Sequence, residues 1–301
     1  MSLLVTGSIG IDTVKTPYGF KKDGIGGSAV HFSMAASFFS PVNFVGVIGG
    51  DCSFDLAEVF KDRAVDLRGL EVRKDNKTFR WTGSYEGDMN EAITDNVELN
   101  VLAETPPLVP DVYKDSDYVF LANTAPSLQL QLIEQLGSPK FIAADTMNHW
   151  IVTAVDDLKQ LLDRIDMLVL NEGEAKLLTG RHNLMTAAQN ILELGPKVVI
   201  IKKGEHGSMM CDQDGDIFIL PAFPTAVVID PTGAGDSFAG ALMGHLAKTD
   251  AIDFISLREA MVHGTVVSSF AISDFSVHGI SSVNMADIEE RVDILRKVTQ
   301  F

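Results

Sequence analysis

Apolar runs and helical stretches alternate along most of the chain. Leu3 to Ile9 opens it as a strand, and Val42 to Ile48 is the next continuous apolar run. Between them, residues 28–39 (SAVHFSMAASFF) are small or apolar on every side, the mark of a helix buried against a sheet. A polar-capped helix is predicted around 53–64. Strand, helix, strand, helix in this order predicts right-handed βαβ units and a mostly parallel sheet.

Residues 71–104 break that rhythm. The stretch KTFRWTGSYEG alternates aromatic or β-branched residues with polar ones, as in antiparallel strands with one wet face. Three prolines in 105–110 (TPPLVP) close the segment, since proline resists both helix and central strand. The segment 71–104, with 12–22 as a further contributor, reads as a small β insertion projecting from the main sheet. The βα rhythm then resumes. Apolar runs at 118–122, 140–144, 166–170 and 197–201 alternate with helical patterns near 127–136, 152–163 and 184–194. A hairpin is predicted across Asp214-Gly215, and helices near 234–248, 255–271 and 285–298 finish the chain. The fold class that follows is α/β, a central sheet flanked by helices.

Composition narrows the function. With 46% hydrophobic and 22% charged residues over 301 positions, the chain has material for one large α/β domain with an insertion, or two ordinary domains, and disorder is excluded as its main state. The balance of 24 Lys+Arg against 41 Asp+Glu gives a net charge of −17, which repels phosphate backbones and anionic lipid. Nucleic acid and membrane are therefore not expected partners. A small phosphorylated ligand is not excluded, because backbone N–H groups that net charge does not count can hold it. Cys52 and Cys211 are too few for a disulfide framework or a cysteine zinc site, and the opening residues lack a basic leader, so a cytoplasmic location is expected.

The sharpest motif is Asp230-Pro231-Thr232-Gly233-Ala234-Gly235-Asp236, placed between an expected strand (AVVI, 226–229) and a helix of small residues. Small side chains at a helix start expose consecutive backbone N–H groups, an anion site suited to charge developing on a transferring phosphoryl group. Asp236 follows in the first turn. From the tetrapeptide alone it is either a helix cap or a base that accepts a proton from an attacking hydroxyl. There is no GxxxxGK[ST], GxSxG or HExxH, and the glycines at 24–27 open no GxGxxG helix, so P-loop, hydrolase, zincin and dinucleotide readings lose their footing.

The full string resembles the C-terminal signature of the PfkB (ribokinase-like) family of small-molecule kinases, and matching features recur in order over essentially all 301 residues. The resemblance implies a ribokinase-like fold whose β insertion is a substrate lid. It implies ATP and Mg²⁺ as cofactors, with Gly233, Ala234 and Gly235 as the anion hole and Asp236 as the catalytic base. Asn171-Glu172-Gly173-Glu174 resembles the family's Asn-x-x-Glu motif, which implies that Asn171 serves ATP and Glu174 the metal. Lys202 and Gly204 fall in the ATP segment, where Lys202 replaces a common threonine, and Thr232 is a further ATP-binding residue. On the acceptor side the resemblance implies Asp12, Gly26, Gly27, His31, Asn123 and Asp230. His31 departs from the usual asparagine and cannot reproduce an amide's pair of contacts. Gly46-x-x-Gly49-x-Asp51 matches an architectural family motif, and Asp145 and Asn148 also end an apolar run at the edge where parallel sheets place ligands. Arg80 and Trp81 are either a substrate cover or packing of the insertion.

The function implied is phosphorylation of a hydroxyl on a sugar or ribosyl compound. A nucleoside kinase of the same family is the alternative, with Phe32, Phe79, Trp81 and Met89 available for a base slot. A non-catalytic ligand sensor is the alternative of another class. The family also suggests a monovalent cation (K⁺) near Asp230 and the 271–281 loop, and a homodimer through the lid.

Overall fold

The computed structural model describes residues 1–300. The chain runs β1 (Leu3–Thr6), β2 (Gly10–Thr16), β3 (Gly19–Gly26), β4 (Val42–Gly49), β5 (Val65–Arg73), β6 (Phe79–Tyr85), β7 (Ala92–Glu98), β8 (Tyr118–Leu121), β9 (Phe141–Asp145), β10 (Met167–Asn171), β11 (Val198–Lys202), β12 (Ser208–Asp212) and β13 (Ile217–Leu220). Nine strands form one sheet in the order β13-β12-β11-β10-β9-β8-β1-β4-β5. It is parallel from β11 to β5, and the β12–β13 hairpin closes its far edge antiparallel. The other four strands form a smaller sheet, β3-β2-β6-β7.

Period-two alternation within the apolar runs divides the core into two layers. Leu3, Val5, Phe120, Met167 and Val169 face helices Ser28–Ala36, Ala234–Thr249 and Phe254–Ala271. Leu4, Val119, Leu121, Leu168 and Leu170 face helices Val155–Leu162 and Leu184–Leu192. Every residue of Ser28–Ala36 is buried, as its all-round apolar sequence requires. Phe32 stacks on Phe120 at 4.6 Å between centroids and is fully buried, so it is a core residue and does not line a base slot.

The strand order reverses at β1, which is flanked by β4 and β8. Ligands of open α/β sheets bind in the crevice beyond the carboxyl ends of the strands at such a switch point. The link from β1 starts at this crevice and leads into β2, which carries Asp12.

Three local expectations fail. The helix around 53–64 is one turn, Leu56–Val59, capped by Asp55. The chain needs the remaining residues to enter β5, whose mixed polar sequence suits a half-covered edge strand. Because β5 takes 65–73 into the main sheet, the smaller sheet begins its second pair at Phe79 rather than at 71. Residues 226–229 form no strand. The Ile229 and Asp230 N–H groups instead donate to the Ile272 carbonyl, which lies just past the end of the Phe254–Ala271 helix.

Between helices Ala234–Thr249 and Phe254–Ala271, His245 and His263 stack at 4.3 Å, and neither ring nitrogen of His245 has a partner. Burial, then His245 and Lys248, pushes His263 down to about 4, and burial also lowers His245. As pH falls below the unfolded value near 6.5, the unfolded chain takes up these protons first, so stability is full above 6.5 and declines toward 4. One such group contributes about 3 kcal/mol across that window. Thermal melts at pH 7.5 and 5 should therefore show a smaller acid loss for His263→Phe than for wild type; equal losses would remove His263 from the account.

Candidate functional site

Both oxygens of Asp230, buried beneath the motif, are occupied. Oδ1 accepts from the Thr232 N–H at 2.9 Å and Oδ2 from the Ser276 N–H at 3.3 Å. These bonds fold the loop so that Gly233 adopts a left-handed φ of 75° as the cap of helix Ala234–Thr249. No side chain caps this helix. Asp236 therefore lies in the first turn and is not the cap, and the N-terminus is open to an anion.

On one side of this turn lies Asp12, buried in β2. Gly26 is the only residue type its neighbour can be, since a Cβ there would overlap the carboxylate. Asp12 Oδ1 has no partner. Burial, then the charges of Asp230 and Asp236, pushes Asp12 up to about 7. Gly27, with φ of 99°, caps helix Ser28–Ala36. That helix presents His31, which is 1% exposed with both ring nitrogens unpartnered. Its ring lies on the Gly233 backbone, and burial holds it below the ordinary imidazole value against the opposing pull of Asp236 and Asp230. Asp12, His31, Asp230 and Thr232 line a common small cleft.

On the other side, three neighbouring strands end in polar or charged side chains. Asp145 closes β9 and is buried with Oδ1 unpartnered. Asn171 closes β10 and forms a capping box with Glu174. Asn171 Oδ1 accepts from the Glu174 N–H at 2.8 Å, while Glu174 Oε2 accepts from the Asn171 N–H at 2.7 Å. Lys202 closes β11 in register with Asn171, and its Nζ reaches 2.5 Å from where a Cβ on Gly235 would stand. Burial raises both Asp145 and Glu174, and the Lys202 charge opposes it in each. Asp236 joins the two sides, since its charge acts on Asp12, His31, Asp145 and Glu174 alike.

Not every expected residue meets at this point. Asn123 accepts from Trp150 Nε1 at 3.0 Å and donates to Met147 Sδ at 3.1 Å, so its amide is held by the 147–150 segment. Gly204 packs on Asn90, from the turn between β6 and β7, whose Oδ1 accepts from the Glu205 N–H at 3.4 Å. Arg80 is paired and not free in solvent. It bridges Asp51 at 3.0 Å and Asp23 at 3.6 Å, tying the smaller sheet to the end of β4. Two participants carry no signal in the sequence. Tyr85 OH accepts from Thr232 Oγ1 at 3.4 Å, and Asn90 reaches the Gly204 loop. Tyr85 ends β6 and Asn90 lies in the turn that joins it to β7, so both come to the site only through docking of the smaller sheet.

The family model for pfkB family carbohydrate kinases matches residues 22–282. The chain belongs to that family. It is 28% identical over 257 residues to the cytidine kinase of Thermococcus kodakarensis, covering 82% of this chain and 89% of that protein. The nucleoside kinase of Burkholderia thailandensis in complex with inosine superposes with a TM-score of 0.77 over 97% of both chains at 19% identity. A ribokinase from Cryptococcus neoformans in complex with ADP gives 0.79 over 96% of this chain and 99% of its own at 21% identity. At these identities the structural likeness is one of fold, and it bears out the ribokinase-like architecture. Among the described residues no helix is long and apolar enough to cross a membrane.

Proposed function

We propose that this pfkB-family member is a kinase that transfers the γ-phosphoryl group of ATP to a hydroxyl of a sugar or ribosyl acceptor, with a nucleoside as the favoured acceptor. The observation that carries the reading is Asp236. It stands in the first turn of a helix that no side chain caps, between the buried carboxylate of Asp12 and the polar ends of β9, β10 and β11.

Asp12 and His31 hold the acceptor, the unpartnered Asp12 oxygen accepting from its hydroxyls. Asp236 takes the proton from the attacking hydroxyl. The open N–H groups of Gly233, Ala234 and Gly235 stabilise the charge on the phosphoryl oxygens as the bond to the leaving ADP breaks. Docking of the smaller sheet through Tyr85 and Asn90 excludes water, which otherwise competes as acceptor. The residues fit Mg²⁺: Glu174 and Asp145 are buried carboxylates, Asp145 with an orphaned oxygen, and Mg²⁺ is commonly held by one or two carboxylates plus substrate phosphates. When bound, it neutralises phosphate charge. A monovalent cation would lie by Asp230 and the 271–281 loop, which the Ser276 bond already joins.

The nucleoside reading is supported by the cytidine kinase match and by an apolar cluster of Val14, Tyr85 and Met89, packed with Trp81, beside the polar cleft. The free edge of β7, with Ile93 48% and Val97 44% exposed, is where a second copy would add to form a dimer. ADP release with ATP and Mg²⁺, measured across nucleosides, free sugars and sugar phosphates, tests the reading. Turnover on nucleosides above the other classes is expected. ATP binding without turnover on any acceptor would favour a ligand sensor.

A further inference from the structure

The end of β11 brings an ammonium to a place where elementary electrostatics disfavours it. Lys202 Nζ lies 2.5 Å from the Cβ position of Gly235, within the first turn of helix Ala234–Thr249. A helix N-terminus carries about half a positive charge, so a lysine beside it is repelled unless an anion lies between them. Gly235 admits the ammonium only because it has no side chain; any Cβ would press on Nζ. Asp145, at the end of β9, and Glu174, in the first turn of the helix that follows β10, act on the lysine through space. Their negative charges oppose that repulsion. Two positive ends, the helix turn and the lysine, thus converge on one spot beside Asp236.

We infer that Lys202 is a catalytic residue, whose ammonium bonds a non-bridging oxygen of the transferring phosphoryl group opposite the Gly233–Gly235 amides. This rests on the kinase reading above. In the step, the acceptor oxygen forms its bond to the γ-phosphorus while the bond to the β–γ bridging oxygen breaks, and ADP leaves with that electron pair. The acceptor's proton goes to Asp236, and Lys202 keeps all of its own. Charge spreads onto the equatorial oxygens in this transition state, so a cation fixed against them acts more strongly there than in the ground state. Without Lys202, the triphosphate would meet Asp236, Asp145 and Glu174 with no protein side chain of opposite sign among them.

The test compares wild type, Lys202→Met, which keeps length and removes charge, and Lys202→Arg. The acceptor is the one wild type turns over best, and a non-hydrolysable ATP analogue with Mg²⁺ measures binding separately. For Lys202→Met, kcat should fall by about 10²-fold, the loss typical of one missing transition-state donor, with analogue affinity changed far less. Lys202→Arg should lie between the two in kcat, because it restores charge with altered geometry. A raised KM for ATP at unchanged kcat would make Lys202 a ground-state binder and overturn the inference. So would turnover abolished by Asp236→Asn but untouched by Lys202→Met, which keeps the kinase reading intact. Absence of wild-type turnover on every acceptor overturns both. Should Lys202→Met fold poorly by its melting temperature, Lys202→Gln, polar and uncharged, gives the same comparison.

Discussion

Asp236→Asn is expected to reduce turnover by about 10²–10⁴-fold, the range that a positioned general base contributes. The substitution keeps size and the helix register, and Asp236 donates no cap whose loss would unfold the turn. Melting temperature should therefore stay close to that of wild type. A second readout separates loss of the base from loss of the fold. Asp236 is one of the charges that raise Asp12, after burial and Asp230, so neutralising it should lower the Asp12 titration from its value near 7. That titration is measurable by NMR on the free enzyme. Turnover within threefold of wild type would remove Asp236 from the chemistry, whatever happened to Asp12.

The parallel sheet and its helices were legible because strands buried on both faces leave continuous apolar runs, and β1, β8, β9 and β10 are such strands. The edge strand β5 was not, because a half-covered strand tolerates the charges in VDLRGLEVR and leaves no clean period. The motif at 230–236 was legible as chemistry, since Gly-Ala-Gly is informative wherever it opens a helix. Whether Asp236 was a cap or a base was not, because both place a carboxylate near a helix start. The structure removes the cap reading by giving that position to Gly233. Asn171 and Glu174 show the reverse: their spacing reads as a functional motif, and in the structure it is also a capping box, so the two readings coexist. Tyr85 and Asn90 left no trace because their proximity depends on how one sheet docks on another, a long-range event that no local pattern encodes.

The second large effect concerns the contact between Gly233 and His31. At φ of 75° an alanine is strained by about 1–2 kcal/mol, and its Cβ would also overlap the buried imidazole. His31 is 1% exposed in a helix buried along its whole length, so the ring has little room to yield. Overpacking of that kind costs about 1–3 kcal/mol more, and Gly233→Ala should lose about 2–5 kcal/mol in urea unfolding. Activity should fall by about 10²-fold or more, because relief of the overlap moves the very amides proposed to meet the phosphoryl group. His31→Ala separates the two contributions. In the double variant the ring is gone while the left-handed strain remains, so the pair should be less destabilised than the sum of the singles by more than about 1 kcal/mol. Activity should stay low in the double variant, since His31 lines the cleft proposed to hold the acceptor. Additivity within about 0.5 kcal/mol would show that the imidazole is not what a side chain at 233 meets. Coupling with recovered stability but no recovered turnover ties the histidine that replaces the usual asparagine both to the anion-hole loop and to the acceptor.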